Sequence, residues 1–422
     1  MALKLSELQS LSVLTSDGRI LFSTRIMRLF AYGFLSVVLV LYLAQVGLSG
    51  KQIGLLITLT QIGDIAIALG VTTNADRFGR KRMLIAGTGL MVFAGVLFAS
   101  TRDFWVLLLA ATIGIISSGG YEAGPFLPIE QAALSQITSN ERRTQTFAWY
   151  NLVGSFATAL GSFSGGSLAQ ALQRSGLTPL DSYRVIVVGY ALMGLGLGLL
   201  FARLSPAIEA SVTSSPRTRQ SQFGLHRSRR VVFKLASLIS LDSFGGGFIM
   251  QSILAYWLYL QFDVEPAVLG GIFFGSSILA GCSALLAARI ADRIGLIHTM
   301  VYTHIPANIL TILLPLMPNL PLVIIVILLR SIVAQMDVPT RQSYTMAVVD
   351  PDERSAAAGV TNIASKTGSS LSPVMAGSLL SNPMLVSMPF FIGGCLKIGY
   401  DLLLLWNFRA IKPPEEIATR KT

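Results

Sequence analysis

The sequence predicts an all-α integral membrane protein with twelve transmembrane helices, arranged as two similar six-helix bundles. Three observations support this prediction. Of the 422 residues, 52% are hydrophobic and only 13% are charged, whereas a soluble domain carries about 25% charged residues. Apolar runs long enough to cross a bilayer recur along the chain. Short polar sequences also repeat between its two halves.

The apolar runs define the elements in order. A spanning helix needs roughly 20 mostly apolar residues, and six candidates lie on each side of a polar segment at 204–234. The first six are 26–47, 52–73, 83–100, 104–127, 145–168 and 184–203, and the others are 235–261, 267–289, 299–317, 320–340, 355–380 and 384–407. The polar segment is rich in Ser, Thr, Pro and Arg, which indicates a linker and not a folded domain.

The repeat is clearest in two turns between apolar runs. Asp76-Arg77-Phe78-Gly79 is followed 216 residues later by Asp292-Arg293-Ile294-Gly295. Further matches share an offset of 211: Pro128, Glu130, Gln131, Arg143 and Asn151 correspond to Pro339, Arg341, Gln342, Arg354 and Asn362. Two similar halves in a multi-span membrane protein usually enclose a binding site between them.

These elements divide the chain into five parts. They are an N-terminal segment (1–25), a first bundle (26–203), a linker (204–234), a second bundle (235–407) and a tail (408–422). Most Lys and Arg residues lie on the side that holds the termini and the linker, and the opposite side carries Lys51, Arg102, Arg174 and Arg184. By the positive-inside rule, we expect a cell-membrane protein with both termini in the cytoplasm.

Composition also excludes several classes of protein. The net charge of +11 does not indicate nucleic-acid binding, because the positive residues lie in short loops beside apolar runs, where they contact the lipid bilayer. The two cysteines lie inside apolar runs and the three histidines are scattered, so we expect neither disulfides nor a metal site. No phosphate-binding Gly-x-x-x-x-Gly-Lys-Ser/Thr loop occurs. We therefore expect no cofactor, no catalytic residues and no enzymatic activity.

The turn after the second span resembles the signature of the major facilitator superfamily, Gly-x-x-x-Asp-Arg-x-Gly-Arg-Arg/Lys. Here it reads Thr72-x-x-x-Asp76-Arg77-x-Gly79-Arg80-Lys81, with Thr72 in place of the first glycine. The fifth span carries Gly161-Ser162-x-x-Gly165-Gly166, which is similar to the antiporter sequence of the family but lacks its proline. The resemblance extends over about residues 20–410.

The resemblance implies a secondary transporter in which two bundles open alternately to each side of the membrane. It implies a small-molecule substrate and protons as partners, and we expect proton-coupled efflux of amphiphilic compounds. Uptake of a sugar or an organic anion is the alternative, and a transport-inactive sensor is a different class. For the signature residues Asp76, Arg77, Gly79 and Arg80, the family implies a bracing role; charges that only set topology are the other interpretation.

Ionisable side chains inside apolar runs are costly to insert, so each is a functional candidate. Asp64 and Glu122 are the candidate proton carriers, because a carboxyl group in a low-dielectric environment can hold a proton near neutral pH. A hydrogen-bonded contact between helices is the alternative for each. The candidates for a substrate cavity are Gln61, Asp242, Arg330 and Lys366; Arg330 and Lys366 would face an anionic substrate or a carboxylate partner.

The internal repeat predicts a gate. Glu130 and Arg341 occupy equivalent positions with opposite charges. The family places their helices at the inner gate, so we hypothesise an ion-pair network of Glu130, Arg341, Arg143 and Asp352 that closes the cytoplasmic side.

Two further pairs and one histidine lie in or near the predicted spans. Arg28 and Asp242 are either a second gate pair or interfacial charges. Lys397 and Asp401 are one helical turn apart and are expected to neutralise each other. His304 either relays protons or is simply hydrogen-bonded.

Overall fold

The computed structural model describes residues 15–120, 122–138, 143–209, 227–350 and 353–408. All regular structure in these ranges is helical, which confirms the predicted fold class. The α-helices are α1 (Ser16–Ser36), α2 (Leu39–Val46), α3 (Gly50–Phe78), α4 (Arg80–Ser100), α5 (Phe104–Ile113), α6 (Phe126–Ile137), α7 (Arg143–Arg174), α8 (Pro179–Ala202), α9 (Arg229–Gly247), α10 (Gln251–Phe262), α11 (Pro266–Ile294), α12 (Leu296–Leu313), α13 (Leu320–Val333), α14 (Asp337–Ala347), α15 (Arg354–Leu380) and α16 (Met388–Phe408). Short 3₁₀ turns follow α8 and α12.

Each predicted span coincides with one helix or with two consecutive helices. Among the described residues, eight helical stretches are long and apolar enough to cross a membrane, and α1 with α2, bent by 43°, makes a ninth. The fifth and eleventh predicted spans, α7 and α15, are long helices rich in Gly, Ser and Thr. Small residues of this kind allow close helix packing.

The predicted span 104–127 does not form one continuous helix. α5 ends at Ile113, and α6 begins at Phe126. Between them, Gly120 and Gly124 have φ values of 73° and 78°, which glycine adopts without steric cost. The sequence between the two helices is rich in Gly and Ser and ends in Pro125.

Side chains of neighbouring helices form hydrogen bonds with backbone carbonyl groups of the interrupted segment. The Tyr190 hydroxyl donates to the carbonyl oxygen of Ile115 at 2.7 Å, and the Tyr32 hydroxyl donates to that of Ala123 at 3.0 Å. Non-helical backbone is tolerated at membrane depth only where protein groups or water bond it. The interruption is therefore stabilised by hydrogen bonds from α8 and α1.

Other boundaries also differ from the prediction. Residues 16–25, assigned to the N-terminal segment, form the first turns of α1, and Arg25 is buried. The span 320–340 contains a break between helices, because α13 ends at Val333 and α14 begins at Asp337. The predicted linker is helical from Arg229 onward, while 210–226 lies outside the described residues. The remaining domain boundaries stay predictions.

The described residues form two compact units. Unit 1 contains those of Met1–Leu48, Leu59–Arg217 and Val264–Phe274, and unit 2 contains those of Ser49–Thr58, Thr218–Asp263 and Gly275–Thr422. In unit 1, α1 packs along α7 and α8, and α4 packs along α8. In unit 2, α9 packs along α15 and α16, and α12 packs along α16.

The internal repeat extends to single hydrogen bonds at helix starts. In unit 1, the backbone N–H of Ala267 donates to Gln170 Oε1 at 3.0 Å. In unit 2, the backbone N–H of Lys51 donates to Ser381 Oγ at 3.1 Å. Lys51 and Ala267 differ by the 216 offset, and Gln170 and Ser381 differ by the 211 offset. Each bond satisfies an N–H that the first turn of a helix leaves open.

Glycine permits the helix crossings beside these bonds. A Cβ atom on Gly270 of α11 would lie 2.7 Å from the carbonyl oxygen of Ser162 on α7. A Cβ atom on Gly50 of α3 would lie 2.7 Å from the carbonyl oxygen of Gly377 on α15. Side chains at these positions would force the helices apart, which is why membrane helices place small residues at close crossings.

We expect Gly270→Ala to lower the thermal stability of the purified protein, because the added methyl group overpacks a rigid backbone contact. Overpacking costs about 1–3 kcal/mol, which corresponds to a fall in Tm on the order of 5 °C. Gly271→Ala is the matched control, since no neighbouring atom lies within 4 Å of its added Cβ. Equal Tm values for the two variants in detergent would contradict the close crossing.

Candidate functional site

Each unit contains a cluster of buried ionic side chains. The Arg28 cluster of unit 1 consists of Arg25, Arg28, Glu122 and Glu130. The Asp242 cluster of unit 2 consists of Asp242, His304, Asp337, Arg341, Lys397 and Asp401. Buried charges are stable only when they are paired and hydrogen-bonded, so both clusters are candidates for function.

A two-pronged ion pair joins α1 to α6 in the Arg28 cluster. Arg28 Nη1 lies 2.6 Å from Glu130 Oε1, and Arg28 Nη2 lies 2.6 Å from Glu130 Oε2. Both side chains have no exposed area. Thr24 Oγ1 donates to Glu130 Oε1 at 3.1 Å, and the Tyr150 hydroxyl donates to Glu130 Oε2 at 2.5 Å. Both oxygens of Glu130 are therefore fully used, which suits a permanent structural pair.

Glu122 is bound differently. Its Oε1 accepts hydrogen bonds from Arg25 and, at 3.2 Å, from Arg28 Nη2. Its Oε2 is buried and has no hydrogen-bond partner among the described residues, although 23% of the whole side chain is exposed. Glu122 belongs to the non-helical segment between α5 and α6. It is the member of the Arg28 cluster that can take up another ligand.

The two predicted proton carriers meet at this interruption. Asp64 of α3 accepts the backbone N–H of Gly124, two residues beyond Glu122. Asp64 thus holds the segment that carries Glu122. Gln61 lies one turn before Asp64 on α3 and is half-buried. The proton-carrying roles of Asp64 and Glu122 stay predictions.

Asp242 is the centre of the unit 2 cluster. Lys397 Nζ of α16 lies 2.6 Å from Asp242 Oδ1, and Arg341 Nη1 of α14 lies 3.0 Å from Asp242 Oδ2. Arg341 also lies 3.6 Å from Asp337, one turn before it. Asp242 therefore joins α9 to both α14 and α16.

A histidine and a second aspartate extend this cluster. His304 Nδ1 lies 2.8 Å from Asp401 Oδ1, and His304 Nε2 lies 3.7 Å from Asp242 Oδ1. Asn308 Nδ2 donates to Asp401 Oδ2 at 3.1 Å. His304 and Asp401 are both buried. The imidazole thus lies between two carboxylates from different helices.

The Asp242 cluster does not suit a metal ion. Asp242, His304 and Asp337 place oxygen or nitrogen atoms within 4.8 Å of one another. However, Lys397 and Arg341 already hold the two oxygens of Asp242. A divalent cation at this point would be repelled by both.

Glu130 pairs with Arg28 in unit 1, and Arg341 pairs with Asp242 in unit 2. The hypothesised gate network and the alternatives for Arg28 and Asp242 stay predictions. In unit 1 the cation lies on α1 and the carboxylate on α6, whereas in unit 2 the carboxylate lies on α9 and the cation on α14. Asp352 and the side chain of Arg143 lie outside the described residues.

The expected neutralisation of Lys397 by Asp401 is wrong. Lys397 binds Asp242, and Asp401 binds His304 and Asn308. A buried carboxylate needs several donors, and partners on neighbouring helices supply them here. Arg330 Nε donates to Thr311 Oγ1 at 2.9 Å, and Lys366 is half-buried on α15.

The signature turn is held by a residue that the sequence did not indicate. Gly79 has a φ of 96° and separates α3 from α4. The backbone N–H groups of Arg80 and Lys81 donate to the carboxylate of Glu209 at 2.6 Å and 3.2 Å. A carboxylate stabilises a helix start through these open N–H groups and the helix dipole.

The Arg80 side chain adds to this contact. Its Nη1 donates to Gln136 Oε1 at 2.8 Å and to the carbonyl oxygen of Ile208 at 3.0 Å. Arg77 is exposed, and the side chain of Asp76 lies outside the described residues. The bracing role of the turn stays a prediction.

Several members of the clusters escaped sequence reasoning. Arg25 was assigned to the N-terminal segment, although its spacing of three residues from Arg28 places both on one helix face. Tyr150 and Asn308 are polar residues within predicted spans, and nothing in their spacing identifies their partners. The repeat did identify the positions of Glu130 and Arg341, but not the residues that they bind.

Comparisons with known proteins identify the family. A model described as Major Facilitator Superfamily matches residues 21–373 and, separately, 236–419. The uncharacterized membrane protein YJR124C of Saccharomyces cerevisiae is 29% identical over 424 residues, with 94% of each chain covered. The quinolone resistance protein NorA of Staphylococcus aureus is 28% identical over 142 residues, or 34% of this chain and 35% of NorA.

Solved structures agree on the fold. A bacterial homologue of the iron transporter ferroportin, in its inward-facing state, superposes with a TM-score of 0.73 at 14% identity, covering 92% of this chain and 98% of the other. At this identity the likeness concerns the fold alone. Together with the signature turn and the family match, it confirms the predicted resemblance. The chain belongs to the Major Facilitator Superfamily and is a multi-pass membrane transporter, not an enzyme.

Proposed function

We propose that this protein exports amphiphilic organic cations across the membrane in exchange for protons. The observation that carries the proposal is the bonding of Glu122: its carboxylate lies within a predicted span, is bound through Oε1, and has a buried Oε2 without a hydrogen-bond partner among the described residues. Such an oxygen can bind a proton or the cationic group of a substrate, but not both at once. Exchange transport requires this kind of competition.

Protonation of Glu122 would change its surroundings in a defined way. Arg28 would keep its two-pronged pair with Glu130. Arg25 would be left with neutral acceptors, the carbonyl oxygen of Tyr150 and the side-chain oxygen of Asn151, both at 3.3 Å. Proton binding would therefore loosen the contact between α1 and the interrupted segment, and proton release would restore it.

Two observations support export as the direction of transport. The segment similar to NorA, a quinolone resistance protein, covers 34% of the chain. The glycines of the antiporter-like sequence, Gly161-Ser162-x-x-Gly165-Gly166, lie on α7. We place the protein in the cell membrane with both termini in the cytoplasm, because of the distribution of Lys and Arg.

The test uses proteoliposomes with an acidic lumen, the fluorescent cation ethidium as substrate probe and trapped pyranine as pH probe. We expect wild type to accumulate ethidium while the lumen becomes more alkaline. Glu122→Gln cannot take up the proton, so ethidium accumulation should fall at least about tenfold. Glu265→Gln is the control, since Glu265 is an exposed carboxylate.

The outcomes separate the functions. Full accumulation by Glu122→Gln would exclude Glu122 as the coupling residue. Movement of a radiolabelled sugar or organic anion, with none of ethidium, would favour uptake instead. Absence of transport for every solute in the panel would indicate a membrane sensor.

A further inference from the structure

We infer that Arg25 competes with the substrate for Glu122, so that the Arg25 guanidinium and a substrate cation bind the same carboxylate and exclude each other. The inference rests on the proposed function, because it concerns the carboxylate at which an organic cation would bind. Arg25 thereby sets the affinity of this site for its substrate. Three features of unit 1 support the competition.

The first feature is the position of the guanidinium. Arg25 Nη1 donates to Glu122 Oε1, the same oxygen that accepts a hydrogen bond from Arg28 Nη2 at 3.2 Å. Glu122 Oε2 is buried and has no hydrogen-bond partner among the described residues. A substrate cation at Oε2 would lie beside the Arg25 guanidinium, and like charges at short range in a low-dielectric site repel each other strongly. The cation therefore binds Glu122 only when a guanidinium withdraws.

The second feature is the difference between the two arginines. Arg28 has no exposed area and is held by Glu130 through two bonds of 2.6 Å. The other hydrogen-bond acceptors of Arg25 among the described residues are neutral oxygens. Bonds from a guanidinium to a carboxylate are stronger than bonds to neutral oxygens. Arg28 is thus fixed independently of Glu122, and Arg25 is the guanidinium that leaves.

The third feature is a second position for the Arg25 side chain. Its Nε lies 3.3 Å from the carbonyl oxygen of Tyr150, and its Nη2 lies 3.3 Å from Asn151 Oδ1. Both distances exceed the usual value of about 2.9–3.0 Å, so both bonds can shorten when Nη1 leaves Glu122. The guanidinium carbon already lies 4.7 Å from the centroid of the Tyr150 ring, where the ring face stabilises a cation.

A glycine of α7 provides the room for this arginine. A Cβ atom on Gly154 would lie 2.8 Å from Arg25 Nε and 3.3 Å from Arg25 Nη2. Any larger residue would therefore push the guanidinium away from its neutral acceptors. The surroundings of Arg25 thus accommodate the guanidinium on both sides, at the carboxylate of α1's partner segment and along α7.

Withdrawal of Arg25 also frees the carboxylate of Glu122. While two guanidinium groups bind Oε1, the carboxylate cannot turn, and Oε2 stays buried although 23% of the side chain is exposed. Once Arg25 leaves, only the 3.2 Å contact with Arg28 remains, and the carboxylate can rotate to present an oxygen to the substrate. The apparent affinity for the substrate is reduced by the fraction of molecules in which Arg25 occupies Glu122.

Ethidium binding to the purified full-length protein in detergent, measured by fluorescence anisotropy, tests the competition. Arg25→Gln removes the competing charge, so we expect the Kd for ethidium to fall about tenfold. Arg25→Lys keeps a cation beside Glu122, and its Kd should lie closer to that of wild type than to that of Arg25→Gln. Arg19→Gln is the matched control and should leave the Kd unchanged, because Arg19 is exposed on the same helix. Adding Glu122→Gln to Arg25→Gln should abolish the gain in affinity.

A second variant tests the alternative position with Arg25 in place. Asn151 is exposed, so Asn151→Ala should fold normally. It removes an acceptor of the displaced guanidinium, and we expect the Kd for ethidium to rise about threefold. In Arg25→Gln the same substitution should have no effect, because no guanidinium remains to be accepted.

The outcomes separate this inference from the proposed function. A folded Arg25→Gln protein that binds ethidium no more tightly than wild type would overturn the inference and leave the proposed function standing. A loss of affinity in Asn151→Ala that persists in Arg25→Gln would also overturn it, since Asn151 would then contact ethidium directly. If Arg25→Gln does not fold, an unchanged Kd in Asn151→Ala overturns the inference. If neither wild type nor Arg25→Gln binds ethidium, the proposed function fails and the inference fails with it.

Discussion

Glu130→Gln should strongly destabilise unit 1, because it leaves Arg28 as a buried cation without its main partner. Arg28 has no exposed area, and both of its terminal nitrogens bind Glu130 at 2.6 Å. Removal of one partner from a buried pair costs about 3–5 kcal/mol. For a unit of roughly this size, that corresponds to a fall in Tm on the order of 10 °C. Thermal denaturation of the purified protein in detergent measures it.

A double substitution distinguishes lost charge balance from lost packing. Arg28→Met with Glu130→Gln removes one positive and one negative charge, so Arg25 and Glu122 remain as a balanced pair. We expect the double variant to be more stable than Glu130→Gln alone. Glu265→Gln, at an exposed carboxylate, should change stability little. A Tm for Glu130→Gln close to that of wild type would show that burial of the Arg28 cation does not require its ion pair with Glu130.

The spans and the repeat between the two halves were predictable because both can be recognised from the sequence alone. Apolar run length locates a span, and a constant offset between matching residues reveals a repeat. The length of the interruption at 114–125 was not predictable, since Gly and Pro mark a weak point in a helix without fixing the length of the break. The start of α1 was missed because the charged residues Asp17, Arg19 and Arg25 separate this segment from the apolar run that begins at residue 26.

The ionic partners were not predictable from spacing along the chain. Arg28 and Glu130 are 102 residues apart, and their contact depends on how α1 and α6 are rotated about their axes. Symmetry correctly related Glu130 to Arg341 as equivalent positions. It could not show that each of these two residues binds a residue of its own half: Glu130 binds Arg28, and Arg341 binds Asp242.

The two clusters share one design with exchanged charges. In unit 1, α1 supplies the cation and α6 supplies the carboxylate; in unit 2, α9 supplies the carboxylate and α14 supplies the cation. The additional residues then differ. Glu122 gives the Arg28 cluster a carboxylate oxygen without a hydrogen-bond partner among the described residues, whereas His304 and Asp401 give the Asp242 cluster a buried imidazole–carboxylate pair. This difference is why the proposal assigns substrate exchange to the first cluster.

Asp242→Asn and Lys397→Met should each lower the free energy of unfolding of the protein. The double variant should lower it by less than the sum of the two single changes. Asp242 and Lys397 lie 2.6 Å apart, with 7% and 11% of their side chains exposed. Asp242→Asn alone leaves the Lys397 ammonium without its carboxylate partner, and Lys397→Met alone leaves Asp242 Oδ1 without its cation. The double variant leaves neither charge of this pair unpartnered. We expect a coupling energy of about 1–3 kcal/mol from the double-mutant cycle.

The exposed pair Asp181 and Arg184 provides the matched cycle. Its atoms lie 3.0 Å apart, but 48% and 32% of the side chains are exposed, so water screens the attraction and the expected coupling is below about 1 kcal/mol. Both cycles are measured by thermal denaturation of the purified protein in the same detergent. If the Asp242 cycle is no stronger than the Asp181 cycle, the pairing of α9 with α16 does not hold in solution. A strong coupling confined to the buried pair would show that the bond between Asp242 and Lys397 stabilises the packing of α9 against α16.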